Sequence, residues 1–270
     1  MPATKNPTML MLHGIFRRSD DFDELRDRLG SDVRLETPDQ LGHGSAPRAA
    51  GYRILDYADY LAPRLEELAG EPLILFGHSL GGVVALALAG RHPEWINALI
   101  LEDPPLFSIT AARRPQTRHY GLFQKLRELK RGPGADFSEA DWIREIGSWP
   151  SGTPDETNLS TFGRNGVALR ARQMMDFDIQ AVESPLDGSM DEGFDAEALL
   201  AALTCPTKIL TGDPALGAVI SVEDRANIET IGDPVTVQIV PGVGHNIHEL
   251  KPAVCEAAIR KMAQQITNDR

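Results

Sequence analysis

Leu73-Ile74-Leu75-Phe76-Gly77-His78-Ser79-Leu80-Gly81-Gly82 is the segment that decides the fold. Four apolar residues run into a glycine-flanked serine, and the small, aliphatic stretch from Val83 to Ala89 follows. The first part reads as a buried strand and the last as a buried helix, so the serine stands on the turn between them. Helix and strand approach closely at such a turn, and Gly77 and Gly81 leave the necessary room. The turn also places Ser79 and the N–H of Leu80 at the positive end of the helix, where developing negative charge is favoured. A G-x-S-x-G pentapeptide alone arises by chance on surface turns. Its strand-turn-helix context is what marks Ser79 as a candidate nucleophile.

Outward from this segment, short apolar runs alternate with helical patterns. The runs are Thr8 to Leu12, Val33 to Thr37, Leu73 to Phe76, Ala98 to Leu101, Lys208 to Thr211 and Val235 to Val240. Strands interleaved with helices predict a mostly parallel sheet covered on both faces. Phe22, Leu25 and Leu29 recur at helical spacing behind Ser19, a candidate cap, and Tyr57, Leu61, Leu65 and Leu68 form a second stripe. Pro252 opens a last helix carrying Val254, Ala257, Ala258 and Met262.

From Pro104 to Thr204 the pattern is helical, with stripes at Leu122, Phe123, Leu126 and Leu129, then Trp142, Ile143 and Ile146, then Val167, Ala171, Met174 and Met175. A structureless loop of that length does not fit a compact domain, so the stretch is expected to be a helical insertion after the fourth strand. The expected organisation is therefore a core of 1–104 and 205–270, with a cap or lid at 105–204. Gly132-Pro133-Gly134, Pro150 to Pro154 and Asp187 to Gly193 punctuate the cap as turns.

The net charge of −12 argues against nucleic acid and anionic membrane surfaces as partners. Two cysteines, Cys205 and Cys255, make no disulfide framework and suit a reducing compartment. With no signal-peptide pattern and no run long enough to cross a membrane, the expected location is the cytoplasm. Neither metal-ligand spacing nor a cofactor motif stands out, and none is expected.

The elbow around Ser79 resembles that of the α/β-hydrolase superfamily, and the resemblance extends over nearly the whole chain. It implies an oxyanion hole formed by the N–H of Leu80 and a second amide from the loop after the first strand. In Met9-Leu10-Met11-Leu12-His13-Gly14-Ile15-Phe16 the His-Gly pair is similar to the family's oxyanion loop, which makes Ile15 the first candidate and Phe16 the second. His13 stays open between a turn residue and a functional one. Asp39 to Ser45 is similar to the loop that shapes the elbow region, with His43 outside the chemistry. The resemblance also implies a histidine base in the loop after the last strand, where Pro241-Gly242-Val243-Gly244-His245 offers His245, with His248 as its rival.

The acid is where this sequence departs from the family. The common position lies three residues past a glycine closing the fifth strand, but Gly212-Asp213-Pro214-Ala215 puts alanine there. Asp213 follows the glycine directly, while Asp103 ends the fourth strand, the position a minority of the family uses. Asp103 is preferred, Asp213 remains the alternative, and Glu102 is a third. Only Met1 to Pro7 precede the first strand, so a sheet of about six strands is expected, without the family's amino-terminal hairpin.

A serine nucleophile implies acyl transfer and argues against the family's aspartate-dependent dehalogenation and epoxide opening. The expected activity is a serine esterase or lactonase acting on a small, largely apolar molecule. Phe16, Leu106, Phe107, Trp142, Trp149 and Met174 are candidate substrate contacts, and Arg17-Arg18 are candidates for a substrate carboxylate. A carbon–carbon hydrolase of the meta-cleavage type, or a slow-turnover receptor, are the alternatives.

Overall fold

In the computed structural model, which describes residues 6–268, six parallel strands form one sheet in the order β2-β1-β3-β4-β5-β6. The strands are β1 (Thr8–Leu12), β2 (Arg34–Glu36), β3 (Leu73–His78), β4 (Ala98–Glu102), β5 (Thr207–Thr211) and β6 (Val235–Ile239). β1, β3 and β4 are buried throughout because helices cover both faces, as an all-parallel sheet requires. Alternate residues of each strand feed opposite cores. Leu10, Leu12, Leu73, Leu75, Leu99 and Leu101 join one cluster, while Met9, Met11, Ile74, Phe76, Ala98 and Ile100 join the other.

The first cluster is completed by α2 (Ile54–Glu67), through Tyr57, Leu61 and Leu65, and by α3 (Leu80–Arg91), buried on every side. The second is closed by α1 (Asp23–Leu29), through Leu25 and Leu29, and by the last helix, through Cys255, Ile259 and Met262. Ser19 does not cap α1 with its side chain. It begins a short 3-10 turn, and its N–H donates to Asp39 Oδ1 at 2.7 Å, which ties the segment to the loop after β2.

Between β4 and β5 lie α4 (Arg118–Arg131), α5 (Glu139–Ser148), α6 (Asn158–Asp176), α7 (Glu183–Asp187) and α8 (Ala196–Ala201). α6 is broken at Gly163, whose φ of 64° no interior helical residue adopts. α8 packs back on α3, with the Leu199 side chain against Gly90, so the chain rejoins the sheet layer before β5. After β5 come α9 (Val222–Glu229), α10 (Ile247–Leu250) and α11 (Pro252–Asn268). Among the described residues no helix is long and apolar enough to cross a membrane.

Gly81 shows how tightly α3 is drawn in: a Cβ there would overlap the Leu12 carbonyl and lie 2.7 Å from the His13 carbonyl oxygen. Gly121, in α4, faces open space. Gly81→Ala is therefore expected to cost about 3 kcal/mol in urea denaturation, whereas Gly121→Ala is neutral or gains up to about 1 kcal/mol.

Candidate active site

The site gathers at the carboxyl ends of the parallel strands, where the loops of such sheets converge. Ser79 follows β3 directly and takes φ 52°, ψ −116°, a strained turn that α3 continues. Three hydrogen bonds hold it in place. Ser79 N–H donates to Glu102 O at 3.0 Å, Gly81 N–H to His13 O at 3.1 Å, and Gly82 N–H to Ser79 O at 2.9 Å. A Cβ on Gly77 would overlap the Gly81 carbonyl, so the small residue on this side is required by close approach.

Ser79 and His245 line one cavity of about 430 Å³, together with Ile15, Phe16 and Met174. No hydrogen bond joins the Ser79 hydroxyl to the His245 ring; such pairs often tighten only in the bound complex. The amides of Ile15 and Leu80 donate to no group among the described residues; Ile15 lines the cavity, and Leu80 follows Ser79, which lines it too. The Phe16 amide is already used: it donates to His43 Nε2 at 3.2 Å, and the His43 Nδ1–H donates to Leu41 O at 2.8 Å. Burial, aided by His13, lowers the His43 pKa to about 3, so this ring is a neutral brace. His13 is likewise buried with a lowered pKa, accepting from Gln40 N–H at 3.1 Å. Both rings therefore shape the loop that presents Ile15.

Of the candidate acids, Asp103 reaches the imidazole. The Nδ1–H of His245 donates to Asp103 Oδ2 at 2.7 Å, and the fully buried carboxylate also accepts from Thr211 Oγ1 at 2.9 Å and from Val219 N–H at 2.8 Å. Asp213 does not reach it. Its exposed side chain accepts from Ala215 N–H at 2.8 Å and caps the short turn Pro214–Leu216, while its own N–H donates to Val243 O at 2.7 Å. Gly212 presses on the carbonyls of Val243 and Gly244, so the β5 loop supports the His245 loop with main chain and not with a carboxylate.

Glu102, the third candidate acid, faces the other way and holds His248. It accepts from the His248 N–H at 2.8 Å and from its Nδ1 at 2.9 Å, while His248 Nε2–H donates to Asp21 Oδ2 at 3.2 Å. Burial opposes charging this ring, but the two carboxylates outweigh it and raise its pKa well above the ordinary histidine value. His248 is thus an imidazolium with both nitrogens occupied. Asp21, His78 and His248 present ligand-type atoms within 4.8 Å of one another. An imidazolium offers no lone pair, so this cluster is an ion network and does not suit a metal. His78, kept neutral by burial and by its histidine neighbours, donates from Nε2 to His245 O at 3.2 Å.

The other expected contacts divide. Phe16, Met174 and Trp149 line the cavity. Leu106 and Phe107 do not; Leu106 is buried in the core and Phe107 packs half-buried against it. Trp142 is core as well, edge-to-face with Phe137 at 5.3 Å. Arg17 lines the cavity, while Arg18 turns to Asp20 and Asp176. Sequence reasoning passed over Arg118, His119, Lys125, Phe162 and Arg170, all of which line it. Arg118, Leu122 and Lys125 stand at i, i+4 and i+7, one stripe of α4, and this signal is visible in the sequence once charge is read along with hydrophobicity.

Known proteins share this architecture. The profile of the Alpha/beta hydrolase family matches residues 9–258. The chain is 26% identical over 262 residues to the 2-(acetamidomethylene)succinate hydrolase of Mesorhizobium japonicum, covering 94% of this chain and 86% of that protein. It is 35% identical over 96 residues to the lipase LipV of Mycobacterium tuberculosis, a match spanning only 36% of either chain. A thermophilic esterase from Thermogutta terrifontis superposes with a TM-score of 0.73 at 21% identity, over 97% of this chain and 90% of that one.

The His248 network has a distinct pH signature. The raised pKa of His248 contributes stability that is complete below about pH 6.5 and fades as pH rises through the folded value. His248→Phe removes the cation that Glu102 and Asp21 share and leaves Asp21 to Arg17 at 3.8 Å, a loss of about 3 kcal/mol. The gap between wild type and variant, read from urea midpoints, should therefore be widest below about pH 6.5 and narrow as pH rises.

Proposed function

The chain belongs to the alpha/beta hydrolase family, and from that premise we propose that it cleaves a carboxylic ester or lactone of a small molecule through Ser79, His245 and Asp103. The observation that carries the proposal is the 2.7 Å hydrogen bond to the buried Asp103 from His245, which lines the same cavity as Ser79. Asp103 fixes the tautomer that leaves His245 Nε2 unprotonated and favours the imidazolium once it forms.

In the proposed course, Ser79 Oγ attacks the acyl carbon and its proton passes to His245 Nε2. The carbonyl oxygen becomes an oxyanion held by the N–H groups of Ile15 and Leu80. Collapse breaks the ester bond, and the leaving alkoxide takes the proton from His245. Water, deprotonated by the same nitrogen, then attacks the acyl-serine and releases the carboxylate and the free hydroxyl. Residues 105–204 serve as the cap over this chemistry. Cys205 and Cys255 are free thiols, in keeping with a reducing compartment such as the cytoplasm.

A panel of 4-nitrophenyl acyl esters, lactones and a vinylogous diketone tests the reading, with fluorophosphonate labelling of Ser79 alongside. Asp103→Asn should lower kcat by about 10⁴-fold with folding retained, while Asp213→Asn stays within about twofold of wild type. A faster diketone reaction would move the assignment to carbon–carbon cleavage, and a folded protein that resists labelling would remove the hydrolytic role.

A further inference from the structure

The cavity wall is charged in one sense only. Arg17, Arg118, Lys125 and Arg170 line it and no aspartate or glutamate does, although the chain carries 39 acidic residues against 27 lysines and arginines. Three of these cations are answered from behind the wall. Arg17 faces Asp21 at 3.8 Å and Glu249 at 3.7 Å, Arg170 pairs with Glu249, and Lys125 lies 3.0 Å from Glu145 and over the Trp149 ring.

Arg118 is different. Among the described residues no carboxylate reaches its guanidinium, which stands at the cavity rim, exposed on its outer side. Nη2 donates to Pro150 O at 3.2 Å. Nη1 lies against Gly152 and Gly217, so closely that a Cβ on Gly217 would sit 2.8 Å from it and one on Gly152 would overlap it. Three segments thus build its seat: the start of α4, the turn after α5 and the loop after β5. Partial burial lowers its pKa from the ordinary arginine value, and no carboxylate offsets that cost. A guanidinium has five donors in a planar fork and stays charged under all ordinary conditions, so one carbonyl leaves most of its capacity unused.

Ile15, Phe16, Leu122, Ile146, Phe162 and Met174 supply the apolar part of the wall, and its remaining polar members, such as His119, Ser151, Asn158 and Asn246, carry no negative charge. Resting on the acyl-hydrolase reading of Ser79, we propose that the cavity selects substrates with an apolar body and a free carboxylate, and that Arg118 is the residue that binds this carboxylate. The reacting acyl group lies at Ser79, and the second, ionised carboxylate lies at the rim under α4. The substrate class is then a monoester of a small dicarboxylic acid.

Two esters of equal acyl length decide this: mono-4-nitrophenyl adipate, which ends in a carboxylate, and 4-nitrophenyl hexanoate, which ends in a methyl. Wild-type kcat/KM should favour the adipate ester by about tenfold or more, and Arg118→Gln should lower that ratio by about the same factor, with Arg118→Lys in between. A wild-type ratio near one, or favouring hexanoate, overturns the proposal, as does a ratio that Arg118→Gln leaves unchanged. If neither ester is turned over, the hydrolase reading fails separately, and calorimetric titration of Ser79→Ala with adipate and hexanoate decides the charge preference. Adipate binding at least about tenfold tighter, and lost when Arg118→Gln is added, supports it; equal binding overturns it.

Discussion

The site hangs on one main-chain hydrogen bond, from Ser79 N–H to the carbonyl of Glu102 at 3.0 Å, which locks the end of β3 to the end of β4. On either side of it the chain turns through left-handed backbone, with φ 52° at Ser79 and φ 41° at Asp103. Each such residue costs about 1–3 kcal/mol and survives only where its surroundings over-determine it. Here the surroundings are the Gly77–Gly81 contact beneath Ser79 and the donors from Thr211 and Val219 around Asp103. The strain turns Ser79 into the cavity that His245 lines and sets Asp103 on the His245 ring, although 24 positions in sequence separate the two.

The same strand end holds a second histidine. Because adjacent residues leave a strand in opposite directions, Glu102 and Asp103 cannot serve one ring, and each has its own. Asp103 takes His245, at the cavity; Glu102 takes His248, beneath it. Around His248 the charges of Arg17, Arg170, Asp21 and Glu249 balance in a buried network, and Arg17 and Arg170 present their basic side to the cavity. Buried ion pairs of this kind add little net stability, and their worth lies in fixing which charge faces which way.

Much of this was legible in the sequence. Apolar runs located all six strands to within a few residues, since a doubly covered parallel sheet leaves few polar positions to blur them. The elbow was legible because only small residues fit Gly77 and Gly81. The choice between Asp103 and Asp213 was legible only as a preference for Asp103, because both follow strands that end at the site, and tertiary structure is what shows that Asp213 caps a turn. The cavity contacts were read poorly for another reason. Hydrophobicity does not distinguish a large side chain that fills a core, as Leu106 and Trp142 do, from one that lines a cavity, as Trp149 and Met174 do. Charge on the α4 stripe, where Arg118 and Lys125 flank Leu122, carried the information that hydrophobicity lacked.

Ser79, His245 and Asp103 are borne on loops of the sheet, whereas Arg118, Lys125, Trp149, Phe162, Arg170 and Met174 all come from one uninterrupted stretch between β4 and β5. On the proposed reading, reactivity and much of the selectivity are written in different parts of the chain. An ancestral sequence could rewrite the second without touching the first, acquiring a new diet while keeping its teeth. At Gly217, where a sheet loop makes room for Arg118, the two texts share a letter.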